Sequence, residues 1–279
     1  APQTQAAFAR IEADISRREF LGGSAAVVGM FAGFGLAPRE LRAQTPGRPT
    51  LLTNLRFFDG TTLAMQTGRD ILIEDGRIAA LLATGTAPED ADVIDCGGRA
   101  VTPGLIDCHW HATLVSVSQI AALTQDIAFV HLVAGQEAGA TLMRGFTTVR
   151  DTGGPAFGLK MAIDRGVVTG PRIFPSGAMI SQTSGHGDFR LLNTLPRMPG
   201  DAPDYTESTG VAAIADGEAE VLRRTREQLM KGASQVKIMA GGGVTSLYDP
   251  LDTAQFFEEE MRAAVRAAAD WGTYVCAHV

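Results

Sequence analysis

The sequence predicts an α/β fold: a parallel sheet wound with helices, preceded by a small β module. Three observations carry that expectation. From Pro103-Gly104 onward, short apolar runs alternate with helical stretches, which is the rhythm of βα units. Between Thr50 and Arg99 the runs are shorter, β-like and closed by tight turns. The chain has 279 residues, 45% hydrophobic and 20% charged, enough apolar mass for one α/β barrel domain and a small appendage.

Residues 1–49 read as an address rather than as fold. Ser16-Arg17-Arg18-Glu19-Phe20-Leu21 leads into seventeen uncharged residues, Leu21 to Ala37, of which five are glycine. The run is short for a membrane span, and the charged stretch Pro38–Gln44 follows it. Paired arginines, a Phe-Leu pair and a weak apolar core resemble a twin-arginine export signal. A membrane anchor or an amphipathic helix is the competing reading. Cleavage is expected near Ala43, with Thr45–Pro49 as a Pro/Gly linker. The twin-arginine export machinery is then a partner, and the mature protein is periplasmic or secreted. The first residue is Ala rather than Met, so a processed or truncated chain is expected.

Residues 50–103 form the β module. Thr50–Phe58 is an apolar stretch closed by Asp59-Gly60. Asp70–Glu74 and Arg77–Leu82 flank Asp75-Gly76, a two-residue hairpin turn, and Asp92–Asp95 precedes Gly97-Gly98. Residues 104–279 form the larger domain. Its predicted strands are Leu105–His109, Thr147–Asp151, Arg172–Ser176, Gln235–Met239 and Tyr274–His278. Its predicted helices are Ser118–Arg144, Asp216–Lys231 and Gln255–Trp271, the last rich in good helix formers.

Charge and cysteine content narrow the function. Net charge is −7 with no basic cluster, which argues against nucleic acid as a partner. Cys96, Cys108 and Cys276 are too few and too irregularly spaced for a disulfide framework or a CxxC metal site.

The chemistry gathers at strand ends. Side chains alternate along a strand, so Asp107, His109 and His111 share one face. Two histidines at i and i+2 can reach one metal ion, although H-x-H alone also fits two unrelated loop histidines. Val236-Lys237-Ile238-Met239 is an apolar strand that buries a lysine. Such a lysine is either salt-bridged, for instance to Asp107, or deprotonated and capped by carbon dioxide as a carbamate. Tyr274–His278 sets a further histidine at a strand end. Barrel sites are built at the C-terminal ends of strands.

Together these segments resemble the amidohydrolase superfamily. Thr102–His111 is similar to its PGxIDxHxH signature, Gln235–Gly243 to its strand-four lysine segment, and Cys276-Ala277-His278 to its strand-five histidine segment. Lys237 follows His109 by 128 residues, and His278 follows Lys237 by 41, spacings that suit a βα-rich excursion and one βα unit. Gly185-His186-Gly187-Asp188 and Val244–Pro250 resemble the prolidase-like and carboxypeptidase-like branch. That branch includes enzymes acting on Xaa-Pro or Xaa-Arg/Lys dipeptides, N-acyl amino acids and the amide of ochratoxin. The resemblance covers Leu51 to Val279.

The resemblance implies a (β/α)8 TIM-type barrel and a two-metal site, most simply zinc. His109 and His111 would hold one ion and His278 the second, with carbamylated Lys237 bridging them. A metal-bridging hydroxide would attack the C–N carbonyl of a small amide or dipeptide, the pKa of its parent water being lowered toward neutrality by the metals. His186 is expected to touch substrate or polarise its carbonyl, and Tyr248 to donate to the oxyanion. A homo-oligomer is expected. The family also places a metal-ligand His on strand six and an acid/base Asp on strand eight. Both would lie beyond Val279, so the chain reads as a fragment with about five barrel strands, inactive alone. A non-catalytic or truncated barrel without turnover is the alternative, and a lyase or isomerase on the same barrel also suits these motifs. Cys108 is expected to face away from His109 and pack, Cys276 to fill the barrel interior, and His131 to be structural. Glu258-Glu259-Glu260 reads as a solvated helix face.

Overall fold

The computed structural model describes residues 48–279 except Pro199 and Leu247. The Ser16–Leu21 export motif and its apolar run lie outside the described residues. The remainder forms two compact units, one ending at Pro103 and one beginning at Gly104.

The first unit contains six short strands: β1 (Thr50–Thr53), β2 (Arg56–Phe57), β3 (Arg69–Glu74), β4 (Arg77–Ala83), β5 (Asp92–Asp95) and β6 (Ala100–Val101). Four of them form a sheet in the order β4-β3-β1-β5, and β2 pairs with β6. The predicted Thr50–Phe58 run is two strands because Asn54 turns the chain at φ 50°. The Asp75-Gly76 turn is present, with both residues at positive φ (48° and 69°) as a tight hairpin between twisted strands requires. Leu55, Phe57 and Ile71 form the small core.

The second unit alternates strands and helices. In chain order it contains β7 (Leu105–Trp110), α1 (Gln119–Thr124), α2 (Ile127–Met143), β8 (Phe146–Asp151), α3 (Phe157–Asp164), β9 (Arg172–Pro175) and β10 (Met179–Ser181). There follow α4 (Tyr205–Ser208), β11 (Ala212–Ile214), α5 (Glu218–Met230), β12 (Val236–Met239), α6 (Glu258–Asp270) and β13 (Val275–His278). The strands form two parallel sheets, β7-β8-β9 and β11-β10-β12-β13, and the chain passes from the first to the second through Ser176–Ala178. This is α/β architecture of the (β/α) barrel type, in part. All five predicted strands are present. β10 and β11, three residues each, were not predicted.

Two helical expectations need correction. The predicted Ser118–Arg144 helix breaks at Gln125-Asp126 because each half has its own cap. Ser118 Oγ accepts the Ala121 N–H, and Asp126 Oδ1 accepts the Ala128 N–H. Glu260 is not on a solvated face: it is buried and accepts from the Phe257 and Gly217 backbone N–H groups, closing the start of α6. Glu258 and Glu259 are exposed.

Period-two alternation decides what each strand offers. Val149 and Ile173 turn toward α2 and α3, joined by Trp110 and Ala138. Ile180, Val236 and Ile238 pack with Val221, Leu229 and Ala264 of α5 and α6. Each fully buried aliphatic side chain contributes about 1.5–3 kcal/mol of transfer free energy. The intervening residues, among them His109, Met179, Lys237 and His278, turn the other way.

Candidate active site

Four of the chain's five histidines come together with Lys237. A cavity of about 410 Å³ is lined by His109, His111, His186, Lys237 and His278, with apolar walls from the Leu114–Leu123 segment, Met179, Phe189 and Met239. His109 and His111 face each other with ring centroids 5.4 Å apart. His186 stacks on His278 at 4.1 Å. The fifth histidine, His131, rests its ring nitrogens against the Ile127 and Pro155 carbonyls, away from the cavity.

Local hydrogen bonds fix the tautomers. A carbonyl can only accept, so the nitrogen facing it carries the proton. His111 Nδ1 donates to Gly153 O (3.2 Å), leaving Nε2 free, and His278 Nε2 donates to Gly242 O (3.1 Å), leaving Nδ1 free. The single Ser246 hydroxyl proton is shared between Gly243 O and the Asp249 carboxylate, so toward His186 Nδ1, 2.8 Å away, Oγ accepts. Three imidazoles thus each have one anchored N–H and one available lone pair, the arrangement in which histidine binds metal.

Electrostatics agree. Burial lowers the pKa of His109 and of His111, with Lys237 and neighbouring imidazoles adding to the effect. Burial likewise lowers His186, partly opposed by Asp249. Lys237 is 2% exposed. Its pKa is lowered by burial first, with the Arg150 charge acting the same way and Cys276 opposing. The salt-bridge alternative for Lys237, with Asp107 as the example, is not seen among the described residues; Asp107 Oδ1 accepts the backbone N–H of His109. Among the described residues, no three His, Cys, Asp or Glu side chains stand close enough to hold an ion by themselves. The donors fit a metal in their chemistry, as two histidine pairs with Lys237 in the same cavity.

Second-layer contacts position His186. Its backbone N–H donates to Gln255 Oε1, and Gln255 Nε2 donates to Asp249 Oδ2. Asp249 Oδ2 lies 3.5 Å from His186 Nδ1. Burial would raise Asp249, but bonds from Ser246, Gly243 and Gln255 carry it below the usual carboxylate range. The glycine run after β12 has a steric reason: a Cβ on Gly243 would stand 2.0 Å from Cε1 of His186.

Some readings move. Tyr248 is half-buried on the loop after β12 and is not among the cavity-lining residues. Cys108 is exposed rather than packed, since β7 is an edge strand of its sheet. Sequence reasoning missed Asp151, a fully buried carboxylate at the end of β8. Burial pushes it up to about 7, against the pull of N–H bonds from Ala112 and Gly153. It sits at a strand C-terminus, so the rule that selected the histidines would also have selected it.

A partial parallel barrel with imidazoles and a lysine at its strand ends defines an α/β barrel protein with a strand-end site. The model of the Amidohydrolase family matches residues 100–279, and the chain belongs to that family. It is 36% identical over 187 residues to the ochratoxinase of Aspergillus niger, covering 63% of this chain and 38% of that one. A crystallised amidohydrolase is similar at TM-score 0.75 and 40% identity, over 83% of this chain and 56% of that chain. A prolidase crystallised with N-methylphosphonate-L-proline is similar at TM-score 0.73 and 36% identity, with the same coverage. The chain therefore spans about half, or less, of the length of these relatives.

Proposed function

We propose that the full-length protein is a metal-dependent amidohydrolase that cleaves an amide or peptide-like C–N bond in a small substrate. One observation carries the reading: four histidines and a buried lysine without an ion-pair partner among the described residues line one cavity. Family membership supports it, as do the relatives named ochratoxinase and prolidase. His109 and His111 would hold one divalent ion and His278 a second. Lys237 would serve both as a carbamate: its neutral Nζ adds to carbon dioxide, an N–C bond forms, and one proton leaves to solvent. The ions, zinc in the first instance, would supply Lewis acidity toward water and the scissile carbonyl.

The chain's own residues orient and exclude. His111 and His278 are held by Gly153 O and Gly242 O, so their free nitrogens need no reorganisation. His186, its Nδ1–H anchored on Ser246, turns a bare Nε2 toward Thr245 Oγ1 at 3.4 Å, where it can take up a proton in transit. Met179, Phe189 and Met239 surround an uncharged part of the substrate and keep water from it.

The test uses full-length protein. It is expected to carry about two zinc equivalents and to hydrolyse N-acyl amino acids or Xaa-Pro dipeptides, with turnover lost on chelation and restored by zinc. Full activity in protein proven free of metal would overturn the reading.

Export belongs to the same proposal. Converting Arg17 and Arg18 together to lysine is expected to strand folded protein in the cytoplasm, read by fractionation. An unchanged periplasmic yield would show that the motif is not an export signal.

A further inference from the structure

We infer that Asp151 is a positioning residue for the metal centre, its carboxylate fixing the His111 imidazole through the backbone on either side of it. The inference rests on the metal-site reading above. Asp151 ends β8 and is 0% exposed. A buried carboxylate is costly unless its oxygens are satisfied. Here two backbone donors satisfy them: Ala112 N–H reaches Oδ2 at 2.6 Å and Gly153 N–H reaches Oδ1 at 3.2 Å. No cation pairs with Asp151 among the described residues.

The identity of those donors gives the carboxylate its function. Ala112 directly follows His111, and Gly153 is the residue whose carbonyl takes His111 Nδ1–H. One oxygen therefore fixes the backbone that carries the imidazole, and the other fixes the loop that orients its ring. Thr152 N–H donates to Trp110 O at 2.8 Å and closes the same strand ends from the other chain direction. Packing alone does not explain a carboxylate here, because β8 already contributes Val149 to the core. Two N–H donors need two acceptor oxygens. Asparagine offers one oxygen and turns an amide NH₂ toward the second donor, so even this isosteric change breaks the clamp.

The experiment uses full-length protein stripped of metal and titrated with zinc against a chromophoric chelator. Asp151→Asn is expected to weaken one of the two ions by roughly ten- to a hundredfold while the other is little changed. In a His111→Ala background the same substitution is expected to add little, since the ring it orients is gone. Melting of the metal-free Asn variant is expected to fall by only a few degrees, the cost of one buried N–H losing its acceptor. Parent-like affinity for both ions, or a loss that simply adds to that of His111→Ala, overturns the inference. So does equal weakening of both ions together with a far larger fall in melting temperature, which marks a purely structural carboxylate. A parent that binds no divalent metal sinks the metal-site reading itself. A parent that binds two ions, matched by its Asp151→Asn variant, sinks the inference alone.

Discussion

Lys237→Ala in the full-length protein is expected to lower turnover by several orders of magnitude and leave the barrel folded. The side chain lies almost wholly inside, and burial lowers its pKa. Held there as an unpaired ammonium it would cost several kcal/mol. The neutral amine is the form that attacks carbon dioxide, and the carbamate so formed would be an anion where the two proposed cations need one. Folding does not depend on it, because β12 is anchored by its neighbours Val236 and Ile238 in the opposite, helix-facing core. Rescue separates the explanations. Acetate or formate supplied with zinc is expected to restore part of the alanine variant's activity by occupying the vacated bridge. A lysine needed for an ion pair predicts a destabilised protein with unchanged metal content and no rescue. Near-normal turnover would refute the carbamate and leave His109, His111 and His278 as a simpler mononuclear site.

Gly243→Ala is expected to cost about a hundredfold in turnover, the scale of a displacement near 1 Å in a positioned group. Its new methyl would overlap the His186 ring, 2.0 Å from Cε1 and 2.6 Å from Nε2. Either the ring leaves its stack on His278 or the loop after β12 lifts away. Removing the ring removes the clash. The informative measurement is therefore the cycle of Gly243→Ala, His186→Ala and the double variant. The double variant is expected to be no worse than His186→Ala alone. Additive losses would mean that Gly243 acts through some other contact.

Much of this was legible in the sequence because it is local. The Asp75-Gly76 turn, the strand around Lys237 and the shared face of His109 and His111 follow from periods of two residues and from turn chemistry. The tight strands β10 and β11 were not legible, since three residues such as Met179–Ser181 are too few to show a period. Nor was the break between α1 and α2, where Asp126 competes as a cap inside an otherwise continuous apolar run. Asp151 had a readable position, but one of its two partners comes from another strand end, 39 residues away at Ala112. The contact in which Gln119 Nε2 donates to Thr245 O joins positions 126 residues apart, and no pattern in either segment announces it. Tyr248 stands apart from both cases: it is half-buried on the loop after β12 and outside the cavity lining, so its expected oxyanion contact rests on the resemblance alone.

The alternation along the parallel strands has an evolutionary consequence. Ile180, Val236 and Ile238 face the helices, while Met179, Lys237 and Met239 face the cavity. The helix-facing aliphatics and Lys237 thus lie on opposite faces of one sheet, although Met179 and Met239 also pack in a buried cluster with Val211. The cavity walls also include Val115 and Leu123, which lie outside the two strand–helix cores. Replacing such wall residues reshapes what fits without spending the stability reserve held by the helix-facing side. A lineage carrying this scaffold can therefore vary the shape of this cavity by single steps, each intermediate remaining folded.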